Sequence, residues 1–239
     1  MSRKNASAIC ILVAAIWGGG FIATDAALAT FDPFTVLLIR FLGASLVCWI
    51  IVGIQKIRIT KAGVLKGSLS GLFLYLAFAF QTFGLDMTNT GQNAFLTAVN
   101  VVMVPYIAWL IFKKRPQFMQ VFASLICLIG IGCLSLSKGQ FHFSFGDGLS
   151  LMCAFFFACH FISLEYSTKG QDVRLINAIQ MSVAAIVSIP GALCLETMPS
   201  HISLMAIFSC LYMILIATCL RFNYRHWRKN ISILPVPVC

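Results

Sequence analysis

A handful of polar side chains sit inside long apolar stretches, where a hydrocarbon surrounding makes them costly and therefore informative. Arg40 lies about seven residues into the second such stretch, roughly 10 Å from its start at 1.5 Å of helix rise per residue. Asp25 stands at a comparable distance from the end of the first stretch. Equal depth on neighbouring helices would let the two form an ion pair that exchanges partners as a cavity opens. A static packing pair, or an Arg40 that reaches back to the headgroups, is the plainer alternative. Thr90, Asn93, Thr97 and Asn100 recur at spacings of three, four and three, which is one helical face, and Pro105 follows them. Such a stripe turns away from lipid, towards either a cavity or hydrogen-bonded packing, and Pro105 removes one backbone hydrogen bond and can kink the helix. Trp17 beside Gly18, Gly19 and Gly20 offers an aromatic wall with close backbone approach, or ordinary glycine-mediated helix packing. Tyr75, Gln81, Asn177 and Gln180 are further candidates for holding a polar solute, and His160 is a titratable group for a coupling proton unless it is a packing histidine.

The chemistry these residues point to is recognition of a small solute rather than bond making. The chain contains no nucleophile elbow, no H-E-x-x-H and no phosphate-binding loop, so an enzyme is not expected. Its 10 cysteines are scattered through apolar stretches without a C-x-x-C pair or a histidine at ligand spacing, and read as small buried hydrophobes. No metal or other cofactor is expected.

The elements that must position these groups follow from composition. Of 239 residues, 60% are hydrophobic and 10% charged, and the mean hydropathy is +0.93. A soluble domain carries about a quarter charged residues because its surface faces water; this chain cannot coat a globule, so its solvent is lipid. Its net charge of +10 comes from short clusters between apolar runs, which serve as topology signals rather than as a nucleic-acid face.

About 20 apolar residues cross a bilayer core of about 30 Å. Eight runs fit this need: 8–29, 33–54, 64–84, 91–112, 118–136, 146–166, 175–195 and 202–220. The expected fold class is all-α, a polytopic membrane bundle of eight spans with short antiparallel connections. Alternating the connections between sides places 15 of the 17 basic residues on one side, against Lys138 alone on the other and Arg40 within a span. Positive charge stays in the cytoplasm, so both termini are expected there, with the chain in the cell membrane. Arg3, Lys4 and the run ending Ala27-Leu28-Ala29 mimic a secretory signal. The run is too long for one and is interrupted by Trp17-Gly18-Gly19-Gly20 and Asp25, which favours an uncleaved first span.

Sliding the chain by 140 residues without a gap matches Ala14 with Ala154, Phe21 with Phe161, Ile22 with Ile162, Asp32 with Asp172, Ile39 with Ile179, Ala44 with Ala184 and Val47 with Val187. The identities are few for so apolar a chain. Their register adds weight, because span one falls on span six and span two on span seven. Five spans per repeat is odd, so the second copy is inserted upside down, the usual build of secondary transporters. Gln180 falls on Arg40, which makes the two halves chemically unequal there.

Ala15-Ile16-Trp17-Gly18-Gly19-Gly20-Phe21, Ile39-Arg40-Phe41, Ala94-Phe95-Leu96-Thr97, Val104-Pro105 and Asp147-Gly148 resemble, in order and spacing, the EamA family of the drug/metabolite transporter superfamily. The resemblance runs to about Leu220. It implies ten spans in two inverted five-helix repeats, a central cavity, and movement of small metabolites or amphipathic compounds, in many members as export. On this basis residues 1–137 form a first repeat, 146–220 three helices of a second, and 221–239 a basic tail. Codons permitted by Phe222 to Ser232, read one base early, resemble the family's exit from span eight. The expectation is therefore a frameshift near Cys219 to Phe222, with a naturally short variant as the alternative. The functional expectation is a secondary transporter working by alternating access, with a small-molecule substrate and lipid as partners and homo-oligomerisation left open. The other reading is a non-transporting membrane remnant.

Overall fold

The structure is a computed structural model that describes residues 3–113, 115–116, 118–135, 143–197, 199 and 201–215, with side chains from Ala15 onward except at 128, 131, 132, 134 and 135. All regular elements among the described residues are helices: α1 (Arg3–Leu28), α2 (Pro33–Ile54), α3 (Lys61–Asp86), α4 (Thr90–Ala98), α5 (Asn100–Phe112), α6 (Phe118–Ser135), α7 (Phe145–Thr168), α8 (Val173–Cys194) and α9 (Leu204–Leu215). Taking α4 and α5 as one run over Thr90–Phe112, these are eight helical runs at the eight expected places. Five of them are long and apolar enough to cross a membrane: α2, α3, the α4–α5 run, α7 and α8. Residues 216–220 of the last expected span and the whole 221–239 tail lie outside the described residues, and so does the expected frameshift.

Local chemistry sets the helix starts. Thr60 accepts from Gly63 N at 3.0 Å ahead of α3, and Asn89 accepts from Gln92 N at 2.8 Å ahead of α4. Ser144 and Asp147 form a reciprocal capping box at α7, and Asp172 caps α8 through Arg174 N at 2.8 Å. At α2 no local side chain caps the helix start. Asp32 has the extended backbone of a cap residue and Pro33 stands at the first helical position, but the Asp32 side chain makes no cap bond. Glu196, from the segment between α8 and α9, supplies the anion instead. Its carboxylate accepts from Phe34 N and Thr35 N, both at 2.7 Å, and from Thr35 Oγ1 at 2.9 Å. The far end of α8 is tied to α2 as well, since the Arg174 guanidinium donates to Gln55 Oε1 just past the last turn of α2.

Tertiary packing is densest where α3 meets α7 and α8, and where α2 meets α8. Lipid tails are as apolar as leucine, so helices in a bilayer associate where small residues let backbones approach closely. A Cβ on Gly71 would stand 2.9 Å from Cα and 2.8 Å from the carbonyl oxygen of Gln180, and one on Gly67 would meet Ile179 at 2.9 Å. Gly84 of α3 and Gly146 of α7 face each other in the same way, each Cβ position 3.0 Å from the other's carbonyl oxygen. Serine hydroxyls tie the α3–α7 seam, Ser70 pairing with Ser163 at 3.0 Å and Ser167 at 2.8 Å. One apolar core joins Leu37, Phe41 and Ala44 of α2, Leu74 of α3, Cys153 and Phe157 of α7, and Ala178 and Met181 of α8. A second joins Ala23 and Ala27 of α1 to Val36 of α2 and to Ala206, Cys210 and Met213 of α9. Across this second core Tyr212 donates to Ile16 O at 3.0 Å and Thr24 Oγ1 to Met213 Sδ at 3.4 Å.

Two stability outcomes follow. Gly71→Leu drives a side chain into backbone that cannot yield and costs about 1–3 kcal/mol, whereas Gly53→Ala, with nothing within 4 Å of the added carbon, leaves stability unchanged or slightly raised. Thermal unfolding in detergent checks this pair, and equal midpoints for wild type and Gly71→Leu would contradict the close α3–α8 approach. Glu196→Ala strips the cap from α2 and lowers stability by about 1–2 kcal/mol, read in the same assay, while Asp32→Ala, whose side chain caps nothing, has the smaller effect.

Candidate functional site

The interruption between α4 and α5 stands at the wall of a cavity. Pro105 lacks the N–H that would bond to Val101 O, yet the helix is interrupted six residues earlier, at Val99. There the Asn100 side-chain amide donates to Thr97 O at 2.6 Å, so a side chain takes a carbonyl at the interruption. Thr97, Asn100 and Val101 face a cavity of about 370 Å³ that is also bounded by α1, α2, α3, α7 and α8. α1 contributes Ile16, Trp17, Gly18, Gly20 and Phe21; α2 contributes Arg40, Phe41 and Ala44; α3 contributes Phe78 and Gln81; α7 contributes Phe157 and Phe161; α8 contributes Met181.

Arg40 is half-buried, its guanidinium carbon 3.9 Å from the centre of the Phe78 ring. A cation so close to a ring face is attracted by the ring's quadrupole, which offsets part of the cost of keeping charge away from water. Phe78 is held by edge-to-face contacts with Phe41, centroids 5.5 Å apart, and with Phe157 at 5.0 Å, so three helices fix the ring on which Arg40 rests. The expected Asp25–Arg40 ion pair is not formed. Asp25 is exposed on α1, and the ion pairs among the described residues are Glu165–Lys169 and Asp172–Arg174.

Of the residues singled out in the sequence, the cavity gathers Trp17, Arg40, Gln81, Thr97 and Asn100. The others stand elsewhere. Asn93 is buried between α3, α4 and α7, donating to Ser150 Oγ at 2.8 Å and Gln81 O at 3.2 Å. His160 Nδ1 lies 3.1 Å from Ser70 O, within the α3–α7 seam. Gln180 Nε2 donates to Asn177 Oδ1 in the same helix, both residues buried. Tyr75 is buried in the first core. Buried oxygens of Thr82, Asn93 and Gln180 find no hydrogen-bond partner among the described residues.

Sequence reasoning missed the aromatic wall of Phe21, Phe41, Phe78, Phe157 and Phe161. With 21 phenylalanines in the chain, residue type alone selects none of them. The usable signal was helical spacing beside a polar candidate: Phe21 four residues after Trp17, Phe41 next to Arg40, and Phe78 three before Gln81. Glu196 was also missed, although it is the one acidic residue between α8 and α9.

Residues 5–136 match the EamA-like transporter family. Two relatives from Archaeoglobus fulgidus, each described as an uncharacterized transporter, are similar to most of the chain. One is 32% identical over 181 residues, which are 76% of this chain and 56% of the relative. The other is 27% identical over 196 residues, 74% of this chain and 63% of the relative. The chain thus spans less than two thirds of the length of either. A crystal structure of a protein 15% identical in sequence superposes with a TM-score of 0.61, over 90% of this chain and 75% of that one, a likeness of fold. Family match, apolar helices and fold agree: this chain is a multi-pass membrane protein that belongs to the EamA-like transporter family.

Proposed function

We propose that the chain is a secondary transporter that moves a small molecule by alternating access at the cavity bounded by α1, α2, α3, α4–α5, α7 and α8. The observation that carries this reading is a cavity of about 370 Å³ bounded by six helical runs, lined by rings and by a few convergent polar groups, beside an interrupted helix. Ligand sites in soluble and membrane proteins alike have this make-up, and broken helices near the midplane are how transporters expose polar backbone to a solute.

The build proposed with it is an inverted repeat, 1–137 followed by the three helices of 146–220, in which α1, α2 and α3 correspond to α7, α8 and α9. Contacts support that pairing. If α3 packs on α7, its counterpart is α9 on α1, and both contacts exist; if α3 packs on α8, its counterpart is α9 on α2, and Ile214 of α9 lies against Gly43 of α2. α2 packs on its own counterpart α8. Both termini are placed in the cytoplasm and the chain in the cell membrane, on the distribution of basic residues.

Gly20 offers a direct test, since it lines the cavity and nothing lies within 4 Å of a Cβ added to it. Gly20→Leu therefore fills the cavity without straining the packing. Reconstituted in liposomes, the wild-type chain is expected to give saturable counterflow of at least one of 3-phenylpropionate, phenylalanine and phenethylamine. Gly20→Leu should lower that flux about tenfold or more at an unchanged unfolding midpoint. Full flux through Gly20→Leu would remove the cavity from the mechanism.

A further inference from the structure

We propose that the α2–α3 connection, Lys56-Ile57-Arg58-Ile59-Thr60-Lys61, is a binding site for the headgroup of an anionic phospholipid. The site is separate from the cavity and does not depend on what the cavity carries.

Position comes first. α2 and α3 are both long and apolar enough to cross a membrane, so the segment that joins them leaves the hydrocarbon at headgroup level. The bundle holds this segment from behind. Ile57 packs on the first core, Thr60 Oγ1 donates to Gln171 Oε1 at 2.5 Å, and Gln55 Oε1 accepts from Arg174. Lys56, Arg58 and Lys61 are all exposed. A fixed backbone thus presents three cations on one short stretch, and little ordering is left for a ligand to impose.

Local structure does not account for these charges. α2 ends in a Schellman turn, Lys56 N donating to Gly53 O and Ile57 N to Val52 O, both at 3.1 Å. Glycine is the usual residue at the left-handed position of such a turn, yet here Lys56 holds it, at φ 49°. Lys61 stands in the first turn of α3, where the helix dipole disfavours a cation. Nor do acidic side chains balance the three. The ion pairs among the described residues are Glu165–Lys169 and Asp172–Arg174, both on the α7–α8 side of the same end of the bundle. All seven acidic side chains of the chain stand among the described residues, and none pairs with Lys56, Arg58 or Lys61.

The apolar neighbours decide between a lipid and a soluble anion. Ile54 and Leu65 are each 75% exposed and Ile59 is 57% exposed, so apolar surface flanks the cations. A phospholipid bound by its headgroup lays acyl chains on that surface, which inorganic phosphate cannot do. Basic residues clustered beside the end of a span attract anionic lipid additively, and three on one segment give a preference that a single lysine would not.

The test titrates the full chain in maltoside micelles with phosphatidylglycerol or phosphatidylcholine of the same acyl chains, and counts bound lipid by native mass spectrometry. Phosphatidylglycerol is expected to bind about tenfold or more tighter than phosphatidylcholine. Lys56→Gly removes a charge and suits the left-handed backbone, so it should lower that preference about threefold at an unchanged or raised unfolding midpoint. Lys56→Gly, Arg58→Gln and Lys61→Gln together should leave the two lipids within about twofold of each other. Lys56→Arg, Arg58→Lys and Lys61→Arg together keep the charge and should retain the preference, which guards against a folding defect. Glu165→Gln with Lys169→Gln, on the paired side, should leave the preference within about twofold of wild type. Equal binding of both lipids to the wild-type chain overturns the proposal, as does a preference that survives removal of the three charges or is lost as fully in the paired-side variant. Release of bound phosphatidylglycerol by millimolar glycerol phosphate also overturns it, since that marks a site for soluble anions.

Discussion

Apolar side chains in a bilayer gain little by leaving lipid for one another, so a helical bundle holds together where its backbones come close enough for dispersion contacts to accumulate. In this chain that closeness is concentrated on α3. Gly67 and Gly71 admit α8, and Gly84 meets Gly146 of α7 at the other end of the same helix. Ser70, between Gly67 and Gly71, exchanges hydrogen bonds with Ser163 and Ser167, and its carbonyl takes His160. A helix fixed on two sides in this way presents the residues of its remaining face at a constant position, and Phe78 and Gln81 are among them. The cavity inherits its rigid wall from that seam.

Charge is distributed under the same constraint. An ionised group away from water is tolerable only where partners are supplied, and helix starts supply them as unsatisfied N–H groups. Asp147 and Asp172 accordingly cap the starts of α7 and α8, and Glu196 reaches across from another element to complete α2. Arg40 lies within α2, and there its guanidinium rests on the face of the Phe78 ring, whose quadrupole attracts a cation.

Spans were legible because length and hydropathy are imposed by the bilayer and need no knowledge of partners: the runs read at 33–54 and 118–136 return as Pro33–Ile54 and Phe118–Ser135. Groups whose identity is rare in an apolar stretch were legible too, which is why Trp17, Arg40, Gln81, Thr97 and Asn100 could be picked out and why they meet at one cavity. What failed depended on contacts remote in sequence. Asn93 and Thr97 belong to the same helical stripe on paper, but Asn93 is turned to Ser150 while Thr97 reaches the cavity. The helix interruption at Val99 had no sequence signal of its own: Pro105 marks a lost donor six residues later, whereas the interruption sits where the Asn100 side chain takes the Thr97 carbonyl. The Glu196 cap was invisible for the same reason, its partners lying more than 160 positions away in the chain.

The two apolar cores give the cavity one firm and one looser side. α3, α7 and α8 belong to the first core, α1 and α9 to the second, and α2 contributes to both, Leu37 and Phe41 to one and Val36 to the other. The α1 wall of the cavity is thinly supported by comparison: Trp17 is 45% exposed, and Gly18 and Gly20 have no neighbour within reach of an added carbon. Arg40 and Phe41 sit on α2, the helix common to both cores, so the charged group stands where the two packed clusters meet at the cavity.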